Sequence, residues 1–314
     1  MKNFTHIDAT TVDEAVDSLA EFGDSASVVA GGTDLFGELV HRSRPEQPEY
    51  VINLKPIGLN SINQGASGLT IGALTPLHDI AFSSVVLSAY PALAQAARRV
   101  ASWQIRNMGT IGGNICQHVR CMYFRSSWNK FNCIRKGGGL CYSMLGDNRF
   151  NSIFGGAGGC VAVSPSDTAP VLVALGATIV TSSRSIAAED FFDGLTSTVL
   201  ANDEIVTEIQ IPAPASGSKQ AFAKASIRKA VDFALANAAV YVTSDDARVV
   251  LGGVAGTPLR VTAAEDALKG QSITESLAET VASAAVNGTV ELPNNGWRIQ
   301  VTKGVVKKAI MALA

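Results

Sequence analysis

Five thiols and two glycine turns are the parts of this chain whose types and spacing could do chemistry. Cys116, Cys121, Cys133, Cys141 and Cys160 are its only cysteines, and all lie between Arg106 and Asp167. That stretch opens with Arg106-Asn-Met-Gly-Thr-Ile-Gly-Gly-Asn114 and closes with Ser164-Pro-Ser-Asp167. Thiolates are soft ligands, so their crowding suggests a metal centre. A glycine pair after a short apolar run lets backbone approach a phosphate. The plainer alternative is a glycine-rich surface loop carrying a few buried thiols. A second strand-glycine-helix pattern, Ser27-Val-Val-Ala-Gly-Gly-Thr-Asp-Leu35, would present backbone N–H groups at a helix start, where an anion such as a pyrophosphate is favoured. A tight turn without a ligand competes with that reading of the segment alone. Neither G-x-G-x-x-G nor G-x-x-x-x-G-K-[ST] occurs, which speaks against a Rossmann or P-loop site.

The elements that must position these residues follow from periodicity and caps. Thr11-Val-Asp-Glu14 has capping-box spacing and opens a helix with Val12, Ala15, Val16, Leu19 and Ala20 on one face. Ser27 to Ala30 reads as a strand, and Thr33-Asp34 can cap a helix carrying Leu35, Phe36, Leu39 and Val40. Tyr50 to Leu54 and Leu69 to Ala73 read as strands, with Thr75 a cap for the short helix after Pro76. A helical run from Pro91 leads to the second glycine turn. Asp167, read plainly, is the N-cap of the run Val171 to Leu175, which Gly176 stops. Ala177 to Thr181 and Asp203 to Pro212 read as strands, and Pro-Ala-Pro-Ala-Ser-Gly-Ser after them as a linker-like turn. Beyond it, strands near 220–226, 234–243 and 249–254 precede helices near 263–268, 275–285 and 305–313. His78 and His118 are lone histidines, more in keeping with structural than catalytic use.

With 314 residues, 47 % apolar and 17 % charged, the chain can bury large cores and divides into two or three domains. A net charge of -2 offers no basic field for nucleic acid. No apolar run is long enough to span a membrane, and the N-terminus lacks a signal core, so a cytoplasmic location is expected, with export alongside a partner subunit to the periplasm as the alternative. An odd number of cysteines in one segment is unlike a secreted disulfide framework, so the thiols read as reduced.

Val29-Ala-Gly-Gly-Thr-Asp-Leu35, Thr110-Ile-Gly-Gly-Asn114, Pro165-Ser-Asp167 and Phe222-Ala-Lys224 together resemble, over essentially the whole chain, the FAD-binding (medium) subunits of the molybdenum hydroxylase / xanthine dehydrogenase family. Arg120-Cys-Met-Tyr-Phe-Arg125 and the insert up to Cys160 are similar to the 4Fe-4S-containing type found in periplasmic aldehyde oxidoreductase and 4-hydroxybenzoyl-CoA reductase.

The resemblance implies an α+β fold: a vanillyl-alcohol-oxidase-type (PCMH-type) FAD-binding domain of two subdomains, residues 1–65 and 66–212 with an insert at about 118–163, then a small C-terminal α/β domain of the CO dehydrogenase flavoprotein type, residues 213–314. It implies FAD contacts from Ser27, Val28, Val29, Ala30, Gly31, Gly32, Thr33, Asp34 and Leu35 around the pyrophosphate and ribityl region, and from Thr110, Gly113 and Asn114 at a second turn. Ser166, Asp167, Val206 and Lys224 match further cofactor contacts, and no residue is expected to be catalytic toward the organic substrate.

Four thiolates hold a 4Fe-4S cluster and five are present. Spacing alone leaves iron-sulfur and zinc open. The resemblance selects iron-sulfur with Cys121, Cys133, Cys141 and Cys160, leaving Cys116 spare. It further implies a large molybdenum-cofactor subunit and a small subunit with two 2Fe-2S clusters as partners, and an external electron acceptor. The alternatives are electron input to a 4-hydroxybenzoyl-CoA reductase-like enzyme, a self-standing flavin oxidase, or a zinc-stabilised binding module. Because both turns precede the insert, FAD binding is expected to be largely independent of it.

Overall fold

A computed structural model of the chain describes residues 1–228 and 230–314. The first helix, Val12–Phe22, starts at a cap that its sequence encodes: the Glu14 N–H donates to the Thr11 hydroxyl at 3.1 Å, and the Thr10 N–H donates to the Glu14 carboxylate at 2.7 Å. Its buried residues Ala15 and Leu19 face a three-stranded parallel sheet of β1 (Thr5–Asp8), β2 (Ala26–Val29) and β3 (Tyr50–Asn53), in the order β1-β3-β2. Val29, Leu35, Leu39 and Val51 form a second small core under helix Leu35–His41.

The second body is an antiparallel sheet of β4 (Ile62–Gly65), β5 (Gly68–Gly72), β6 (Thr178–Thr181), β7 (Ser185–Ala187) and, beyond the short hairpin β8 (Phe192–Asp193) and β9 (Ser197–Thr198), β10 (Val206–Pro212). The order is β4-β5-β10-β6-β7, so the last strand in sequence is central. Its alternating Ile209 and Ile211 pack with Leu69, Ile71, Leu93, Ile111 and Leu172 from β5 and the covering helices. The long passage from β5 to β6 carries helices Leu77–Phe82, Pro91–Arg99, Trp103–Met108 and Ile111–Cys116, the cysteine insert, and helix Ala169–Ala174.

The third body is an antiparallel meander of β11 (Lys219–Ala225), β12 (Ala236–Val242), β13 (Ala247–Gly252) and β14 (Leu259–Arg260), with helices Thr262–Leu268, Glu275–Ala284 and Trp297–Met311. Ala238, Val249 and Leu251 face those helices, while Phe222, Ala239 and Val250 on the opposite face belong to the core of the second body. A sheet covered on both sides explains why β12 reads almost continuously apolar.

Four local expectations change. β4 pairs with β5, so the sheet of the second body takes in residues read from sequence as part of the first; its exposed, polar strand has no hydrophobic alternation to announce it. Thr75 does not cap: its hydroxyl donates to the Ser61 carbonyl at 3.3 Å. Asp167 is not an N-cap either, because Thr168 holds that position and the Ser166 hydroxyl accepts from the Ala169 N–H. Helix Trp297–Met311 starts two turns earlier than its apolar pattern, since its first turns carry Arg298 and Thr302 inward.

Candidate functional site

The first glycine turn is an open set of donors. Ser27 to Val29 lie in β2 and Leu35 begins a helix, and the Val29 and Leu35 side chains face the small core, so backbone is what the turn presents outward. Among the described residues, none accepts from the N–H groups of Gly31, Gly32, Thr33 or Asp34. Gly32 sits at φ +71°, the left-handed region that glycine reaches at little cost. Successive N–H groups left free around such a turn make a concave anion site.

The second turn lies against the first. A Cβ on Gly31 would meet the Met108 carbonyl oxygen at 2.1 Å, and one on Gly109 would lie 3.5 Å from the Thr33 hydroxyl. Here the donors are occupied: Ile111 and Gly112 N–H reach the carbonyls of Thr75 and Ala73, Gly113 N–H reaches the Thr110 hydroxyl, and Asn114 N–H the Thr110 carbonyl. A Cβ on Gly113 would meet only the Thr110 hydroxyl at 3.1 Å, so the surface beside it is open. Asn114 Oδ1 accepts from the hydroxyls of Ser166 and Thr168 at 2.6 and 2.7 Å, which orients its amide.

Asp167 and Lys224 form a pair at 2.5 Å with side chains under 5 % exposed. The lysine also donates to the Arg99 carbonyl, and Asn237 Nδ2 donates to Asp167 at 2.9 Å. Burial pushes the Asp167 carboxyl up, against the pull of Lys224 and Asn237 toward the charged form. This pair joins the second and third bodies. Val206 lies 8 % exposed in the core of the second body, outside these polar groups.

The insert brings four thiols together. Cys121, Cys133, Cys141 and Cys160 line one cavity with Tyr123, Phe124, Ile134, Tyr142 and Ser143. Glycines shape the loops that present them. The loop around Cys133 closes through Ile134 N–H to the Leu140 carbonyl and Gly138 N–H to the Cys133 carbonyl, and a Cβ on Gly138 would meet the Asn132 carbonyl at 1.9 Å. Gly158 and Gly159, both at positive φ, turn the chain between Ala157 and Cys160, which exchange backbone hydrogen bonds.

Cys116 is elsewhere. It ends helix Ile111–Cys116 against the core of the second body, and burial pushes its thiol up to about 12. Burial also raises Cys133.

Among the described residues, the only set of three or more His, Cys, Asp and Glu ligand atoms all within 4.8 Å is Asp34, Glu38 and His118, so no three thiols approach that closely. Four thiols on one cavity supply the ligand count of a tetrahedral zinc or of a 4Fe-4S cluster, which holds each thiolate on a different iron.

Asp34, Glu38 and His118 are joined by residues that the sequence reading passed over. Arg125 binds the Asp34 carboxylate with both Nη groups, and its Nη1 lies 3.2 Å from Glu38. Glu38, 2 % exposed, also pairs with Arg44 at 2.6 Å and with His118 Nδ1 at 2.9 Å. Burial opposes its charge, but His118, Arg44 and Arg125 outweigh that and hold its carboxyl down to about 2. With two arginines on the two acids, the set is an internal salt-bridge network. Nothing in the sequence joined Glu38 to an arginine 87 positions away. Asn237 was missed for the same reason. His78 packs between Phe82 and Trp103, a structural setting.

Residues 2–214 match the FAD binding domain in molybdopterin dehydrogenase, and residues 220–313 match the CO dehydrogenase flavoprotein C-terminal domain. The aldehyde oxidoreductase FAD-binding subunit PaoB of Escherichia coli (strain K12) is 34 % identical over 277 residues, 84 % of this chain and 86 % of its own. The glyceraldehyde dehydrogenase medium chain of Sulfolobus acidocaldarius is 29 % identical over 99 % of this chain and 98 % of its own. Among solved structures, carbon monoxide dehydrogenase from Hydrogenophaga pseudoflava, in a form lacking the Mo-pyranopterin moiety, superposes with a TM-score of 0.78 at 28 % identity, covering 99 % of this chain and 97 % of that one. An α+β PCMH-type FAD-binding domain followed by a CO dehydrogenase flavoprotein C-terminal domain therefore accounts for nearly the whole chain, which belongs to the FAD-binding medium subunits of the molybdenum hydroxylases, a family of oxidoreductases.

Proposed function

We propose that this chain is the FAD and 4Fe-4S electron-transfer subunit of a molybdenum-cofactor oxidoreductase, of the aldehyde-oxidising or xanthine dehydrogenase-like kind. Its partners are a large subunit with the molybdenum cofactor and a small subunit with two 2Fe-2S clusters, and electrons leave to an external acceptor. The substrate class rests on PaoB, whose name gives it as an aldehyde oxidoreductase subunit. When bound, FAD supplies exchange of electrons in pairs or singly and a 4Fe-4S cluster supplies one-electron steps.

The residues of the chain bind and orient. Free N–H groups at Gly31, Gly32, Thr33 and Asp34 take the pyrophosphate, with Ser27, Val28, Val29, Ala30 and Leu35 setting the path of the backbone on either side. Thr110, Gly113 and Asn114 form the facing wall, braced by Ser166. Asp167 and Lys224 offer a buried dipole at the seam of two bodies, and Val206 an apolar contact. Cys121, Cys133, Cys141 and Cys160 ligate the cluster. No residue acts as acid, base or nucleophile toward the organic substrate. The observation that carries the cluster reading is the convergence of these four thiols on one cavity. Loading of both groups takes place in the cytoplasm, where reduced thiolates persist. Among the described residues no helix is long and apolar enough to cross a membrane.

The test is a visible spectrum and metal analysis of the purified chain. Yellow flavin absorption with a broad brown shoulder and iron near four per chain supports the proposal. Zinc in place of iron overturns the redox role of the insert.

A further inference from the structure

The acidic residues of the first glycine turn and its helix are gripped by the cysteine insert. From one residue, Arg125, Nη1 and Nη2 reach Asp34, Nη2 reaches the His118 carbonyl at 2.6 Å, and Nε reaches the Val119 carbonyl at 3.1 Å. The His118 N–H donates to Asp34 at 3.1 Å, and its ring meets Glu38 one helical turn on. Arg125 and His118 therefore bind the two carboxylates as a unit, and they flank Cys121, one of the four cavity thiols. The segment between them forms no helix or strand longer than a single bridge, Arg120 to Val163. Its order comes from that bridge, from the Arg125 N–H donating to the Cys121 carbonyl at 2.9 Å, and from the small core of Val119 and Phe124 against which Cys121 packs. Asp34, in turn, is the last residue of the run whose N–H groups stand free.

We propose that Arg125 is a positioning residue that couples the cysteine cavity to the flavin turn, so that a filled cavity raises FAD affinity. This rests on the cofactor reading above and adds which residue joins the two sites. A ligand bond at Cys121 fixes the segment that projects Arg125 and His118, and Arg125 then fixes Asp34 and the donors beside it. Without that bond the arginine loses its purchase on Asp34, and the turn samples other shapes. Linkage makes the effect mutual: bound FAD favours a filled cavity by the same factor. On this proposal FAD affinity depends on the insert, contrary to the independence expected from the order of motifs along the chain.

The test uses the full chain in its purified complex, with four forms compared: unmodified, Arg125→Gln, Cys133→Ser, and both changes together. Cys133 is chosen because it lies outside the segment that carries Arg125. FAD dissociation constants are measured after flavin removal and titration back, alongside iron content. Arg125→Gln is expected to keep its iron and to bind FAD about tenfold more weakly, within the usual range of coupling between sites. Cys133→Ser is expected to lose iron and to weaken FAD by a similar factor. The double variant is expected to be no weaker than the worse single one, because both changes remove the same coupling. Arg125→Lys, which keeps a charge beside Asp34 without the fork, is expected to recover part of the affinity and the visible circular dichroism of the bound flavin. Unchanged FAD affinity in Arg125→Gln, or factors that multiply in the double variant, overturns the coupling. Iron lost from Cys133→Ser with FAD affinity unchanged overturns the coupling alone, whereas iron retained there overturns the cluster reading and the coupling with it.

Discussion

Lys224 and Asp167 pair at 2.5 Å where two bodies meet, and removing the lysine leaves a buried carboxylate with Asn237 as its main partner. Breaking such a pair costs about 3–5 kcal/mol, so Lys224→Ala should unfold at distinctly lower denaturant concentration, as well as hold FAD less tightly. Denaturant titration of the flavin-free chain separates the stability loss from the binding loss. Glu38 gives a pH prediction. Its folded value of about 2 lies below the ordinary 4.5, so the stabilisation is fully present above 4.5 and is lost as pH falls through about 2. It amounts to roughly 3 kcal/mol. The stability gap between the unmodified chain and Glu38→Gln should therefore be widest at neutral pH and close over that window. A gap that stays constant down to pH 2 would show that the Glu38 charge contributes nothing. Cys116 ends its helix against the core of the second body, outside the cavity that the other four thiols line. Cys116→Ser should keep its iron, and serine at 121, 133, 141 or 160 should lose it.

The glycine turns differ as elements, and substitutions should tell them apart. Gly31→Ala sets a methyl 2.1 Å from the Met108 carbonyl and must push the two turns apart, so stability and FAD binding should fall together. The Cβ of Gly113→Val meets only a hydroxyl, at 3.1 Å, on the exposed side of the turn beside the proposed cofactor. This substitution should lower FAD affinity by tenfold or more with a smaller change in melting temperature; the reverse order in the two variants would exchange their roles. Elements with a local signal were legible from sequence. The Thr11 cap, the strands ending at Val29 and Asn53, and the alternation of β10 all rest on neighbours in the chain. β4, exposed and polar, and the capless start of helix Trp297–Met311 rest on tertiary pairing and buried polar groups, which no short window reveals. The same division runs through the site. The glycine runs and the cysteines announce themselves, whereas Arg125, Glu38 and Asn237 act on partners far away in sequence and look like ordinary surface or strand residues until the chain is folded.

At the scale of the whole molecule, the insert is a hub. Arg125 ties it to the first body, Arg135 donates to the Gly194 carbonyl of the second, and Arg298 of the third donates to the Asn151 carbonyl of the insert. Burial pushes Arg298 down to about 10, still charged at neutral pH. A metal centre at such a junction would stabilise all three bodies at once. Removing iron with a chelator should then lower the melting temperature of the entire chain, and not only disorder the insert.

What the four thiols hold decides the role of the insert. Iron analysis with electron paramagnetic resonance of the isolated, dithionite-reduced chain asks this directly. Four irons and one FAD per chain are expected, with a signal that survives Cys116→Ser and disappears in Cys133→Ser. Zinc, or a signal lost in Cys116→Ser and kept in Cys133→Ser, would contradict the cluster reading.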